Sequence, residues 1–183
     1  MRIYLAALSA LFILAVAAVS PARADKCPAA SFVLGAAEAY DRAARSGSAA
    51  TFASAAARYS DLRALSMFAL GRHRKDLPKN REAEYLNLTR QFIGRTLKKH
   101  GSGFRGTPLT VIDCMDSSGG VLVSARTSSG SNVVFRLARA GGGYTVKDVN
   151  MKGVWLVQQM RSTFVGTIDR TGSIDGLFDY LRR

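Results

Sequence analysis

Four residues of this sequence have side chains suited to nucleophilic or metal chemistry: Cys27, His73, His100 and Cys114. A Cys–His hydrolase needs a thiol beside a base, but both histidines lie in basic runs and neither belongs to a recognisable catalytic signature. Two cysteines and two histidines at unrelated spacings do not match a zinc site. We therefore expect no catalytic residue, no metal and no cofactor.

Two further patterns are better explained by structure than by chemistry. Residues 101–106 match G-x-G-x-x-G, but a dinucleotide fingerprint needs a strand before it and a helix after it. Here a predicted helix precedes and a predicted strand follows. Asp113 and Asp116 flank the end of a predicted strand, where carboxylates commonly serve turns. Because no acid, base and nucleophile converge, we predict that the protein is not an enzyme.

The first 24 residues have the pattern of a secretory signal peptide. Arg2 is followed by an apolar run over residues 3–19 and by an A-x-A site at residues 22–24. An uncleaved anchor is the alternative, but the run is short for a membrane span. Residues 25–183 are then one exported domain. In an oxidising compartment Cys27 and Cys114 are expected to form a disulfide, with two free thiols as the alternative.

The formal net charge of +13 favours anionic partners. For a cytoplasmic protein, nucleic acid would be the first candidate. After export, anionic lipid headgroups, acidic proteins or cell-surface polyanions fit better, so we expect no nucleic acid. A basic surface that only keeps the protein soluble is the alternative.

Apolar spacing predicts helices over most of residues 29–100. They cover residues 29–44, 51–58 and 62–70, and a long fourth helix runs from Pro78 to a stop at Gly101. Ser48, and Ser60 with Asp61, stand at the N-cap positions of the second and third helices.

Period-two alternation begins near Thr107 and predicts a β-meander over residues 107–152. Its four strands begin at residues 108, 121, 133 and 144. Helical spacing returns over residues 154–181, where Leu156, Met160, Phe164 and Ile168 share one face. Helices, then strands, then helices is an α+β order. The prediction is a four-stranded antiparallel sheet with about five to six helices.

One run in this C-terminal half is similar to a known family. Residues 144–157 read Y-x-V-x-D-V-x-x-x-G-V-x-L-V, and R-S-x-F and G-S-I-D-G-L follow from residues 161 and 172. This run resembles the MlaC/toluene-tolerance family, the periplasmic phospholipid-binding proteins of the Mla lipid-transport system of Gram-negative bacteria. The motif F-x-L-G at residues 68–71, a basic link and a helix with Tyr85 and Phe92 resemble the family's amino-terminal half.

The resemblance implies a curved sheet and helices around an apolar cavity that takes acyl chains, with the headgroup near the mouth. It also implies a periplasmic carrier that moves phospholipid between an outer-membrane lipoprotein complex and an inner-membrane ABC transporter with an MCE-domain subunit. A carrier for a hopanoid-type lipid is a variant. A small exported enzyme with a cone-shaped α+β pocket, or an interaction module with a solid core, would also be compatible with the predicted elements.

The cavity wall would be built from apolar strand and helix positions, and the mouth from basic residues. The expected lipid-binding residues are Phe68, Leu88, Phe92, Leu109, Val111, Val121, Val123, Val133, Phe135, Leu137, Trp155, Leu156, Met160 and Phe164. The expected headgroup residues are Arg136, Arg139, Lys147, Lys152 and Arg161. The alternative for the apolar set is an ordinary packed core.

Overall fold

The computed structural model describes residues 27–183, so the predicted signal peptide lies outside the described residues. Within them, helices precede and follow one antiparallel sheet, which confirms the α+β prediction. The helices are α1 (Ala30–Ser46), α2 (Ala49–Tyr59), α3 (Leu62–Ala69), α4 (Glu82–His100), α5 (Leu156–Thr171) and α6 (Ile174–Arg182). Short 3-10 turns cover Gly71–Asp76, Lys79–Arg81 and Gly101–Phe104.

The sheet is an open meander in the order β1-β2-β3-β4-β5. Its strands are β1 (Leu109–Ser117), β2 (Gly120–Thr127), β3 (Asn132–Ala140), β4 (Gly143–Met151) and β5 (Val154–Trp155). The first four match the prediction. The fifth does not, because Val154 and Trp155 were expected to begin the last long helix and instead pair with Met151 and Asn150.

Glycines in the left-handed conformation and a capping carboxylate set several of the helix ends. Gly47 (φ 62°) and Gly172 (φ 75°) adopt the left-handed conformation that ends α1 and α5. The Asp61 carboxylate accepts from Ala64 N at 2.9 Å and caps α3. Ser48 occupies the predicted N-cap position of α2, but its side chain makes no capping hydrogen bond.

Cys27 and Cys114 form a disulfide, as expected, with their Cα atoms 5.4 Å apart. The bond joins the segment before α1 to β1 across a sequence separation of 87. It therefore holds the start of α1 against the sheet.

The apolar interior is divided between a sheet core and a helical core. The sheet core contains Cys27, Ala29, Val33, Val121, Val123, Ala125, Val133, Phe135, Leu137 and Val146. The helical core contains Met67, Ala69, Leu70, Leu77, Tyr85, Leu88, Phe164, Ile168, Ile174, Leu177, Phe178 and Leu181. A smaller cluster of Ala43, Ala44 and Phe52 lies beside α2.

This division corrects one expectation about packing. The strand positions do share one face, since Val121 pairs with Leu137 and Val123 with Phe135. Four of the predicted helix positions, Leu88, Phe92, Met160 and Phe164, instead pack in the helical core. Residues at the start of α1 cover the sheet face. Among residues 27–183, no helix is long and apolar enough to cross a membrane.

Candidate functional site

The apolar stripe of α5 passes from the interior to the surface. Phe164 is fully buried in the helical core, Met160 is partly buried against it, and Leu156 is 38% exposed. Residues four apart lie on the same helix face, so the three side chains form one row. At the start of α5, the row therefore presents apolar surface that the protein leaves partly uncovered.

Phe68 on α3 adds to this uncovered surface. It is 39% exposed and lies in a cleft of about 270 Å³. The cleft is lined by Asp61, Arg63, Ala64, Met67, Phe68 and Arg74. Because Met67 belongs to the helical core, the floor of this cleft continues into the buried apolar interior. We call it the α3 cleft.

Arginine side chains border the α3 cleft, which also contains the Asp61 carboxylate at the N-cap of α3. The Arg161 guanidinium lies 4.7 Å from the centre of the Phe68 ring and donates to the Phe68 carbonyl at 3.4 Å. Arg63 is paired with Glu82 at 2.7 Å. Within the described part of the chain, neither Arg161 nor Arg74 forms a salt bridge. Both can therefore offer charge to an anion.

A second cleft, of about 400 Å³, lies over the sheet core. It is lined by Pro28, Ser31, Phe32, Gly35, Tyr59, Gly142, Gly143 and Tyr144. The Phe32 ring is 5.5 Å from that of Tyr59 and 6.0 Å from that of Tyr144, measured between centres. All three rings pack against the sheet core, so each core has its own cleft at the surface.

The predicted lipid-binding residues lie in three environments. Val121, Val123, Val133, Phe135 and Leu137 are buried in the sheet core, with Leu109 and Val111 partly buried against it. Leu88 and Phe164 are buried in the helical core, with Phe92 and Met160 partly buried against it. Phe68 and Leu156 are exposed, and Trp155 is half-buried. The sequence pattern identified apolar positions but not their grouping into two cores.

The predicted headgroup residues do not meet at one mouth. Arg136 stacks on Trp155 at 4.3 Å, whereas Arg139 pairs with Asp116 at 2.5 Å. The hydrogen bond that Arg139 donates to the Asp116 carboxylate raises the pKa of Arg139. Lys147 is half-buried on β4, and Lys152 lies exposed in the tight turn after that strand. Arg161 alone of the five lies beside the α3 cleft.

Cys114 and His73, two of the residues considered for catalysis, are occupied in other roles. Cys114 is bonded to Cys27 and has no free thiol. The ring of His73 lies between Asp76, 2.9 Å from Nδ1, and Asp169, 2.8 Å from Nε2. The hydrogen bond with Asp76, which has the larger effect, and the hydrogen bond with Asp169 both raise the pKa of His73. In residues 27–183, no three His, Cys, Asp or Glu side chains are placed to hold a metal ion.

Asp148 is a positioning residue that the sequence analysis did not identify. Its carboxylate is buried and accepts from Val149 N and Val157 N, each at 2.8 Å. Val157 N is one of the free donors of the first turn of α5, where negative charge is favoured. The only sequence signal was the place of Asp148 in the Y-x-V-x-D-V run. This contact fixes the start of α5, and with it Leu156, against β4.

The family model for the MlaC protein matches residues 32–183. The chain belongs to the MlaC family. A search of curated proteins finds no match. Six chains of solved structures match this MlaC family member.

One of these structures is the phospholipid-binding protein from Ralstonia solanacearum in complex with a phospholipid. It is 17% identical in sequence, and the alignment covers 83% of this chain and 93% of that chain with a TM-score of 0.70. At that level of identity the likeness shows that the two proteins share a fold.

Proposed function

We propose that this MlaC family member binds phospholipid by its acyl chains and carries it through the periplasm. The observation that carries the proposal is the stripe of α5, which leads from exposed Leu156 to buried Phe164. Membership of the family and the lipid complex of the Ralstonia structure support the same ligand. In this proposal the tails lie along the stripe and the headgroup stays outside.

The α3 cleft serves as the entrance in this proposal. Its volume of about 270 Å³ is slightly below the range of about 300 to 1,000 Å³ that is usual for ligand sites. Tails that pass from this cleft to the stripe therefore have to enter the helical core itself, because Met67 of α3 and Phe164 of α5 both belong to it. The sheet core is a separate cluster and stays packed.

Burial of the tails supplies most of the affinity. Each buried methylene contributes about 0.8 kcal/mol, so ten of them contribute about 8 kcal/mol before the cost of opening the protein. Arg161 and Arg74 add an attraction for the phosphate that salt screens. Affinity should therefore depend on tail length more than on the chemistry of the headgroup.

The carrier role requires a donor and an acceptor membrane. The family points to an outer-membrane lipoprotein complex and an inner-membrane ABC transporter with an MCE-domain subunit. The pattern of the first 24 residues, which predicts export, supports a periplasmic location. We propose that this protein moves phospholipid between those two complexes.

Charges placed at the entrance test the binding site. Leu156→Asp and Phe68→Asp each put a carboxylate in the path of the tails, and the co-purifying phospholipid is expected to fall by about tenfold because acyl chains that cover a carboxylate must strip it of water. Both positions are partly exposed, so melting temperatures should change little. Met115→Asp is the control, because Met115 is an apolar residue 55% exposed on β1.

The lipid is measured by solvent extraction and mass spectrometry of each variant. Folded Leu156→Asp and Phe68→Asp proteins that keep the full phospholipid content would show that the tails do not pass this entrance. A hopanoid-type lipid in place of phospholipid in the wild-type extract would change the assigned cargo.

A further inference from the structure

The segment from the start of β5 into the second turn of α5 contains two exposed apolar side chains and takes part in two arginine–aromatic pairs. Val154 is 46% exposed and Leu156 is 38% exposed. On one side the Arg136 guanidinium lies 4.3 Å from the centre of the Trp155 ring. On the other side Arg161 stacks on Phe68. We call Val154, Trp155, Leu156, Phe68 and the two arginines the α5 docking surface.

The charge of this surface is positive and not neutralised by its neighbours. Across residues 27–183, no salt bridge involves Arg136 or Arg161. Asp148 faces Arg136 in the strand register, but it is buried and accepts two backbone N–H groups. Lys152, in the exposed turn just before β5, adds a third cation.

We propose that the α5 docking surface binds the surface of an anionic phospholipid bilayer. Tryptophan and arginine suit the boundary between headgroups and acyl chains, because each has an apolar body and a polar end. Val154 and Leu156 are placed to enter the upper acyl region while Arg136, Arg161 and Lys152 meet phosphates.

The proposal rests on the proposed carrier function, because it places the entrance for the tails against the membrane that donates or receives them. Leu156 belongs both to this surface and to the stripe that leads to Phe164. A lipid could then pass between bilayer and protein without exposing its tails to water.

Sedimentation with vesicles tests the docking surface. The purified protein is mixed with phosphatidylcholine vesicles that contain or lack phosphatidylglycerol, at low and at high ionic strength. We expect binding to the anionic vesicles only, weakened by salt. Since a basic residue near an anionic surface strengthens binding about fivefold, Arg136→Gln with Arg161→Gln should weaken it by about 25-fold.

A matched pair of substitutions separates this surface from net charge. Arg90→Gln with Arg170→Gln removes the same charge from exposed positions on α4 and near the end of α5, and should weaken binding by less than about threefold. Val154→Asp should abolish most binding, and its exposure keeps the fold intact. A thermal melt of each variant confirms folding.

Three results would overturn the docking proposal: no binding of the wild type to anionic vesicles, equal binding to neutral ones, or equal losses in the two double variants. A surface that instead serves an acidic protein would give the first result. The phospholipid content of the same wild-type preparation tests the carrier function separately. Protein that contains phospholipid but does not bind vesicles would contradict the docking proposal alone. Protein that binds vesicles but contains no phospholipid would contradict the carrier function.

Discussion

Replacing both Cys27 and Cys114 with alanine should strongly destabilise the protein. Their bond closes a loop with a sequence separation of 87. Loop-closure entropy of about −15 cal/mol/K for that length corresponds to about 4.6 kcal/mol of unfolding free energy at about 25 °C. For a domain of this size the midpoint of thermal unfolding should fall by roughly 10 to 18 °C. Urea unfolding followed by circular dichroism measures the loss.

The double alanine variant also serves as the control for a second experiment, in which a reductant is added to both proteins. A reductant should lower the stability of the wild type by a similar amount and leave the variant unchanged, because only the wild type has a bond to break. A loss below about 1 kcal/mol would refute the reasoning, since it would mean that the bond does not constrain the unfolded chain. Equal sensitivity of both proteins to reductant would refute it as well.

Three single contacts lead to further predictions. Asp148→Ala removes the carboxylate that accepts the hydrogen bond from Val157 N. The free energy of unfolding, measured in urea, should therefore fall by about 2 to 3 kcal/mol. A fall below about 0.5 kcal/mol would mean that this contact contributes little. The raised pKa of His73 implies that its pairing with Asp76 and Asp169 contributes stability that is fully present below about pH 6.5 and is lost as pH rises through the raised value. The stability difference between wild type and His73→Asn should thus shrink from mildly acid to alkaline pH, and a constant or growing difference would contradict the assignment. A Cβ at Gly94 would lie 2.3 Å from the Ala49 carbonyl, so Gly94→Ala should push α4 from α2 and lower the melting temperature, and an unchanged midpoint would show that the helices adjust freely.

The sequence was sufficient to predict the elements and most of their ends. Gly47 and Gly172 ended helices because glycine adopts the left-handed conformation at little cost, and the short turns joined the strands as a meander. The disulfide was also predictable, since only two cysteines are present. Val154 and Trp155 were predicted wrongly because a two-residue strand leaves no measurable period in the sequence.

The grouping of the apolar residues could not be predicted from the sequence. Periodicity identifies the apolar face of the strand that contains Phe135 and of the helix that contains Leu88. It does not identify which other element packs against that face. The result, two cores in place of one, depends on α1 covering the sheet. The separation of Arg136 from Arg139, by contrast, was predictable, because residues three positions apart along a strand lie on opposite faces.

The most direct test of the carrier function is the mass of the wild-type protein measured under native conditions after detergent-free purification. The proposed function predicts a population heavier than the polypeptide by the mass of one phospholipid, which organic solvent removes and added phospholipid restores. Protein that has only the polypeptide mass, and that takes up no phospholipid when it is supplied, would contradict it.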